Sequence, residues 1–531
     1  MGEGEETAAS PRMPDASFGP PRGTGRRSFV AQLLLLALSM SSSIVYYAIR
    51  STDLAGRIMR ALGHRAHRQE RAPWPPEVFV LWALLFCVIP IICALIVRGR
   101  PASAPARRPR WILFFAAAAF LAGFVYVTET MYLTFPAAQN GMYLIWSNHF
   151  AEMREAPALH VDGKKIINGD EDEVRNLVVT DIIARHGLGG FVDAWKDVPT
   201  TSSVRSYLLW GTSQHPPLYF LALAPGAQLA GVRAARWTQL VVACIFLAAV
   251  AGAIRAYKLS APMPSALLLL AMPGLVVYEL SKASSDAFVA IWVTLAVWCL
   301  ADLRGAKGLA RAALAGAFLG AGLWSKYTAL ISVGAATLLV LFGLRGLRAR
   351  NRVAAAAIML ACAAAVAAPL VLWLWDTPTG VAQWKHTLEP IFQRAFSRMT
   401  HTGRVYAARS SVGVSLRNLG PMLLVEWGVP FSLAAAAGVF SVLRDIARSP
   451  ERRRCLAGPV IFLSATWAAT LIQNPLWRYT MPAMWALVAV VSIGITDVFR
   501  HRALRAAFVA HLVLFALTKV AAYVVEYVPT A

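Results

Sequence analysis

The sequence predicts an all-α polytopic membrane protein of about thirteen transmembrane helices, and three observations predict it. Of 531 residues, 57% are hydrophobic and only 15% charged, with a mean hydropathy of +0.54; soluble domains carry about 25% charged residues. The apolar residues gather in runs long enough to span a bilayer. The net charge of +23 is mostly arginine, clustered between those runs. A nucleic-acid partner would need a basic folded face. Here the arginines punctuate spans, as topology signals beside anionic headgroups do, so no nucleic acid is expected.

Residues 1–27, rich in Gly, Pro, Glu and Ser, predict a disordered cytoplasmic tail. The run after Arg26-Arg27 is too long for a signal-peptide core and lacks a convincing cleavage site, so it reads as an uncleaved first span. Spans at roughly 29–49 and 78–97 make an extra N-terminal hairpin within 28–110. Arg98, Arg100, Arg107, Arg108 and Arg110, with no acid among them, place the next segment inside. The 50–77 loop then falls outside despite Arg57, Arg60, Arg65, Arg68 and Arg71.

A third span, roughly 111–133, opens the main membrane domain (111–531) and leads to an external loop over 134–216. Within that loop Tyr143–Glu155 predicts an amphipathic interfacial helix, with Trp146 and Phe150 toward lipid. Turn dipeptides Asp162-Gly163 and Asn168-Gly169 flank a short β-prone run and predict a small hairpin. Val174, Leu177, Val178 and Ile182 have helical spacing, and Gly187 is a natural stop. The apolar stretch 217–231 is short for a span. Parity decides it: if it dips without crossing, every later basic cluster falls inside.

The remaining spans are expected at roughly 237–254, 263–280, 287–303, 309–325, 327–343, 354–374, 420–441, 456–473, 480–499 and 506–526, with a second external loop at 375–419. On this map the acids of 170–173, His215, Asp286, Lys326 and Arg478 converge on the outer surface. Charged side chains among apolar runs are costly unless they face water, pair or work. An external carboxylate can serve as a general base in group transfer. Lys326, with no acid near it in sequence, must snorkel to headgroups or meet an anion, and the Arg478 guanidinium suits a phosphate.

The residues that stand out also resemble a known family. His215-Pro216-Pro217-Leu218-Tyr219 looks like the motif closing the first external loop of GT-C membrane glycosyltransferases, which include protein O-mannosyltransferases and the lipid A aminoarabinose transferase. Asp172-Glu173-Val174-Arg175 is similar to the acidic start of that loop. Ser284-Ser285-Asp286 resembles the second external acid, Gly322–Tyr327 the lysine-tyrosine segment, and Arg478-Tyr479 with Pro482 the late arginine motif. The order holds over roughly 170–485.

The resemblance implies a GT-C fold, a polyprenyl-phosphate sugar donor, inversion at the sugar carbon and transfer outside the cytoplasm. It implies Asp172 as base, with Asp170, Glu171 and Glu173 as rivals beside it. It implies His215, Lys326, Arg478 and Tyr479 around the donor phosphate and lipid. Asn148-His149-Phe150-Ala151-Glu152 offers a lower-ranked anchor. The acceptor that the resemblance implies is a glycan, lipid or protein of the cell envelope. No cofactor motif is present, and the acids leave room for a divalent metal. The six cysteines show no disulfide framework or C-x-x-C spacing. Two other classes stay open: a transporter or flippase of lipid-linked sugars, which predicts internal repeats and polar span centres, and a glycan polymerase or ligase.

Overall fold

A computed structural model of the chain describes residues 26–51, 76–98, 114–123, the pairs 160–161 and 164–165, a few positions from 176 to 187, and most of 216–376 and 427–527. The described residues form helices and one two-stranded hairpin. In chain order the helices are α1 (Arg26–Ser51), α2 (Pro76–Arg98), α3 (Phe114–Gly123), α4 (Leu218–Ala230) and α5 (Val232–Ala256). Next come α6 (Pro262–Leu267), α7 (Ser285–Leu300), α8 (Gly308–Ser325), α9 (Ala329–Leu338) and α10 (Ala349–Asp376). The series ends with α11 (Val429–Arg448), α12 (Pro450–Gln473), α13 (Met484–Val498) and α14 (Arg502–Tyr527).

Among the described residues five stretches are long and apolar enough to cross a membrane: Trp237–Ala256, Ala349–Leu372, Val429–Arg448, Thr480–Val498 and Arg502–Val520. Shorter apolar helices, Ser285–Leu300 and Ala329–Gly343 among them, accompany these five. Large apolar side chains such as Leu34, Leu84, Phe115, Leu372 and Phe440 are exposed. Outward apolar faces on apolar helices are what a lipid surround requires. The chain is a helical membrane protein, although these helices do not establish the expected thirteen spans.

Three expected spans differ from what forms. The run 263–280 is not one helix: α6 passes into a tight 3-10 turn at Leu268–Ala271, Met272 turns extended (φ −104°, ψ 97°), and a wide π turn follows at Val276–Leu280. Pro273-Gly274 lies in the middle of that run and explains the break. The run 327–343 is helical only over α9, then widens into a π turn at Leu339–Gly343. The expected 420–441 span begins at Val429 and runs to Arg448, because Gly428 (φ 81°) turns the chain just before it, followed by Pro430.

Small residues set the closest crossings. In α8, Gly316 and Gly320 lie one helical turn apart, and a Cβ on either would strike α10 at Met359 or Val366. Gly438 of α11 and Gly494 of α13 meet in the same way. Between these crossings sits an aromatic core that includes Tyr219, Phe246, Phe431, Phe462 and Trp485. The N-terminal hairpin is fastened by polar contacts: Ser43 Oγ lies 3.1 Å from His511 Nε2 of α14, and Gln32 Oε1 accepts from the His501 amide at 3.1 Å.

In the segment expected to form the first external loop, the hairpin forms about the first of the two turn dipeptides, pairing Val161 with Lys164 and His160 with Lys165. Asn176, Thr180, Ile183 and Ala184 are helical, as the 173–186 spacing predicts, and Asn176, Thr180 and Ile183 are buried. Gly187 closes the stretch with φ 65°. Gln228 of α4 donates to the Ala184 carbonyl at 2.8 Å, tying this helix to the membrane domain. Tyr143–Glu155 and the 377–419 part of the second loop lie outside the described residues.

Candidate active site

Ser284, in extended backbone (φ −116°, ψ 130°), caps α7, and its hydroxyl accepts from the Asp286 amide at 3.3 Å. A serine in that position satisfies an orphan N–H of the first turn. Asp286 therefore stands in the first turn of α7, where the positive end of the helix dipole favours its charge. α8 packs on α7 and ends at Ser325; Lys326 follows in extended backbone (φ −166°, ψ 138°), its amide still bonded to the Gly322 carbonyl at 3.0 Å. The negative end of that helix dipole favours the ammonium.

The two charges meet. Lys326 Nζ lies 2.8 Å from both Asp286 Oδ1 and Oδ2, with Lys326 2% and Asp286 5% exposed. Lys326 thus does not snorkel to the membrane surface; it is buried against a carboxylate forty residues away. Isolated, either charge would be prohibitively desolvated; together they neutralise each other.

Other sequence motifs arrive at the same place. Tyr219, from the His215–Tyr219 motif, is fully buried on α4, with its ring 5.7 Å from that of Phe288 on α7. The late motif forms a 3-10 helix, Trp477–Ala483, that packs against α7 with Thr480 and Met481 buried. Arg478 and Tyr479 belong to that helix by backbone; their side chains lie outside the description. So do His215, Asp170, Glu171, Asp172 and Glu173 in full.

Two residues join the cluster that the sequence reading missed. Gln239 of α5 is fully buried; its Nε2 donates to the Glu279 carbonyl at 3.0 Å and the Ser284 carbonyl at 3.4 Å, and its Oε1 accepts from Tyr219 Oη at 3.4 Å. Glu279, 3% exposed, is the next-to-last residue of the π turn and accepts the Ser284 hydroxyl at Oε2. The signal was available: an acid inside an apolar run is expensive enough to need a reason. Among the described residues no three His, Cys, Asp or Glu side chains lie close enough to hold a metal ion; the acids of 170–173 are not among them.

No protein-family model and no curated protein matches the chain. Solved structures of the Archaeoglobus fulgidus oligosaccharyltransferase do. The form tethered to an acceptor peptide containing the NVT sequon aligns at 13% identity and TM-score 0.44, over 79% of this chain and 55% of that one. The apo form aligns at 13% and 0.42, over 80% and 56%; the complex with Zn and sulfate at 17% and 0.39, over 59% and 44%. The chain thus spans about half the length of the archaeal enzyme.

Proposed function

We propose that the chain is a membrane glycosyltransferase that moves a sugar from a polyprenyl-phosphate donor to an extracytoplasmic glycan, lipid or protein. The observation that carries this reading is the meeting of motifs far apart in sequence. Tyr219 touches Phe288, Asp286 pairs with Lys326, and the Trp477–Ala483 helix packs on the helix that carries Asp286. A chain that only needed anchors at a lipid surface would have no reason to gather them.

The roles follow from the chemistry. An acceptor hydroxyl or amine attacks the anomeric carbon from the face opposite the phosphate, and the carbon–oxygen bond to phosphate breaks as the new bond forms, with inversion. The acceptor proton goes to a carboxylate of the first external loop, Asp172 first, with Asp170 and Glu173 as rivals. Polyprenyl phosphate departs with the bonding pair. Lys326 and Arg478 meet its charge, with His215 and Tyr479 beside it. Asp286 holds the Lys326 ammonium in place.

Mass spectrometry of cell-envelope glycans, with and without the protein, tests the reading. The expected result is loss of one sugar from one glycan, lipid or protein class, restored by the intact gene. An unchanged glycan profile, with a lipid-linked sugar trapped on one leaflet, would point to a flippase instead.

A further inference from the structure

We infer that Glu279, acting through Ser284, is a positioning residue for the Asp286–Lys326 pair; this rests on the glycosyl-transfer reading above. A serine hydroxyl has one proton and two lone pairs. Glu279 Oε2 accepts the hydrogen bond that the Ser284 hydroxyl donates, which turns the hydroxyl's lone pairs toward the Asp286 amide, 3.3 Å away. The cap hydroxyl therefore has one fixed orientation, and the first turn of α7 is held with it. Two bonds further on, Asp286 grips Lys326 through both carboxylate oxygens.

Gln239 makes the support rigid from the other side. Its one amide bonds the carbonyls of Glu279 and Ser284, the two ends of the link between the π turn and α7. The same side chain accepts from Tyr219, so the link is also fixed to α4. A π turn is a local widening often found beside functional sites. Here it brings Glu279 to the helix cap rather than leaving it among apolar neighbours. Glu279 need not touch the donor; it fixes the pair whose ammonium meets the donor phosphate.

The test uses the full chain and whichever polyprenyl-phosphate sugar the unmodified protein turns over. Glu279→Ala and Ser284→Gly, the latter keeping a tolerated helix cap without its hydroxyl, should each lower kcat by about 10- to 100-fold. KM for the donor should rise as well, because the ammonium that the pair holds meets the donor phosphate. The double variant should be no worse than either single, because both remove one interaction. Glu279→Gln, whose amide oxygen still accepts the hydroxyl, should lose less than Glu279→Ala. Independent, multiplying losses, or a rise in KM with normal kcat, would overturn the role. If Glu279→Ala does not fold, Ser284→Gly and Glu279→Gln decide alone, and normal kcat in Ser284→Gly sinks it. Unmodified protein that transfers no sugar overturns the function and this role together; normal turnover in every variant overturns this role only.

Discussion

Lys326 and Asp286 form a buried ion pair, with one ammonium 2.8 Å from each of two carboxylate oxygens, at the point where α8 ends and α7 begins. Breaking such a pair from one side leaves an uncompensated charge, at a cost of about 3–5 kcal/mol. Asp286→Ala and Lys326→Ala should each lower the unfolding temperature sharply. The neutral pair Asp286→Asn with Lys326→Gln should recover much of the loss. Equal and additive destabilisation, read by thermal unfolding in detergent, would show that the two side chains do not depend on each other.

That coupling shapes the donor-binding test. Lys326 should be neutralised together with Asp286, and Arg478→Ala examined alone. If both cations meet a lipid phosphate, each change should weaken donor binding by about 10- to 150-fold, as expected for a charge-assisted contact of roughly 1.5–3 kcal/mol. Equilibrium binding of a polyprenyl-phosphate sugar measures it. Donor affinity preserved in both would remove phosphate from their roles.

The base is tested by Asp172→Asn, which should cut turnover by about 100-fold or more while donor binding survives, in line with general-base contributions of roughly 10²–10⁴. Near-normal turnover in that variant, with Asp170→Asn, Glu173→Gln or Glu152→Gln inactive instead, would move the base to the acid that fails.

Topology follows from the arginine clusters. In a background lacking the six native cysteines, an impermeant thiol reagent applied to intact cells should label cysteine at 168 and spare it at 107, 348 and 453. Labelling at 348 would invert the map.

The α8–α10 crossing carries Lys326 at its end, and Gly316 has no room for a side chain against Met359. Gly316→Val should destabilise the chain by about 1–3 kcal/mol through overpacking. Unchanged thermal stability would mean that the two helices are free to separate.

Much of this was legible in the chain, and the remainder was hidden for identifiable reasons. Apolar run length gave α5, α8, α10 and α12–α14 to within a few residues, since a span must be both long and apolar. It failed at 263–280 because composition stays apolar while Pro273-Gly274 interrupts the backbone. Asp286 and Lys326 were each singled out, but as separate features: a search for acids near Lys326 in sequence cannot see one across a helical hairpin. A start-of-helix acid and an end-of-helix lysine on consecutive apolar helices was the overlooked clue. Gln239 gave no sign, because one glutamine in a span is unremarkable until its carbonyl partners are known.

The contact between Ser43 and His511 joins the first helix to the last, across 468 residues of chain. A ribosome working at about 5–20 residues per second needs roughly 20–90 seconds to make that distance. Throughout that interval α1 is already made while its histidine partner does not exist. In the finished fold Ser42 and Ser43 also donate to the Ser39 carbonyl of their own helix, so neither hydroxyl depends on His511 for a partner. A chain truncated before residue 511 loses this latch between α1 and α14, while the packing of α1 on α2 and α11 needs nothing beyond residue 448.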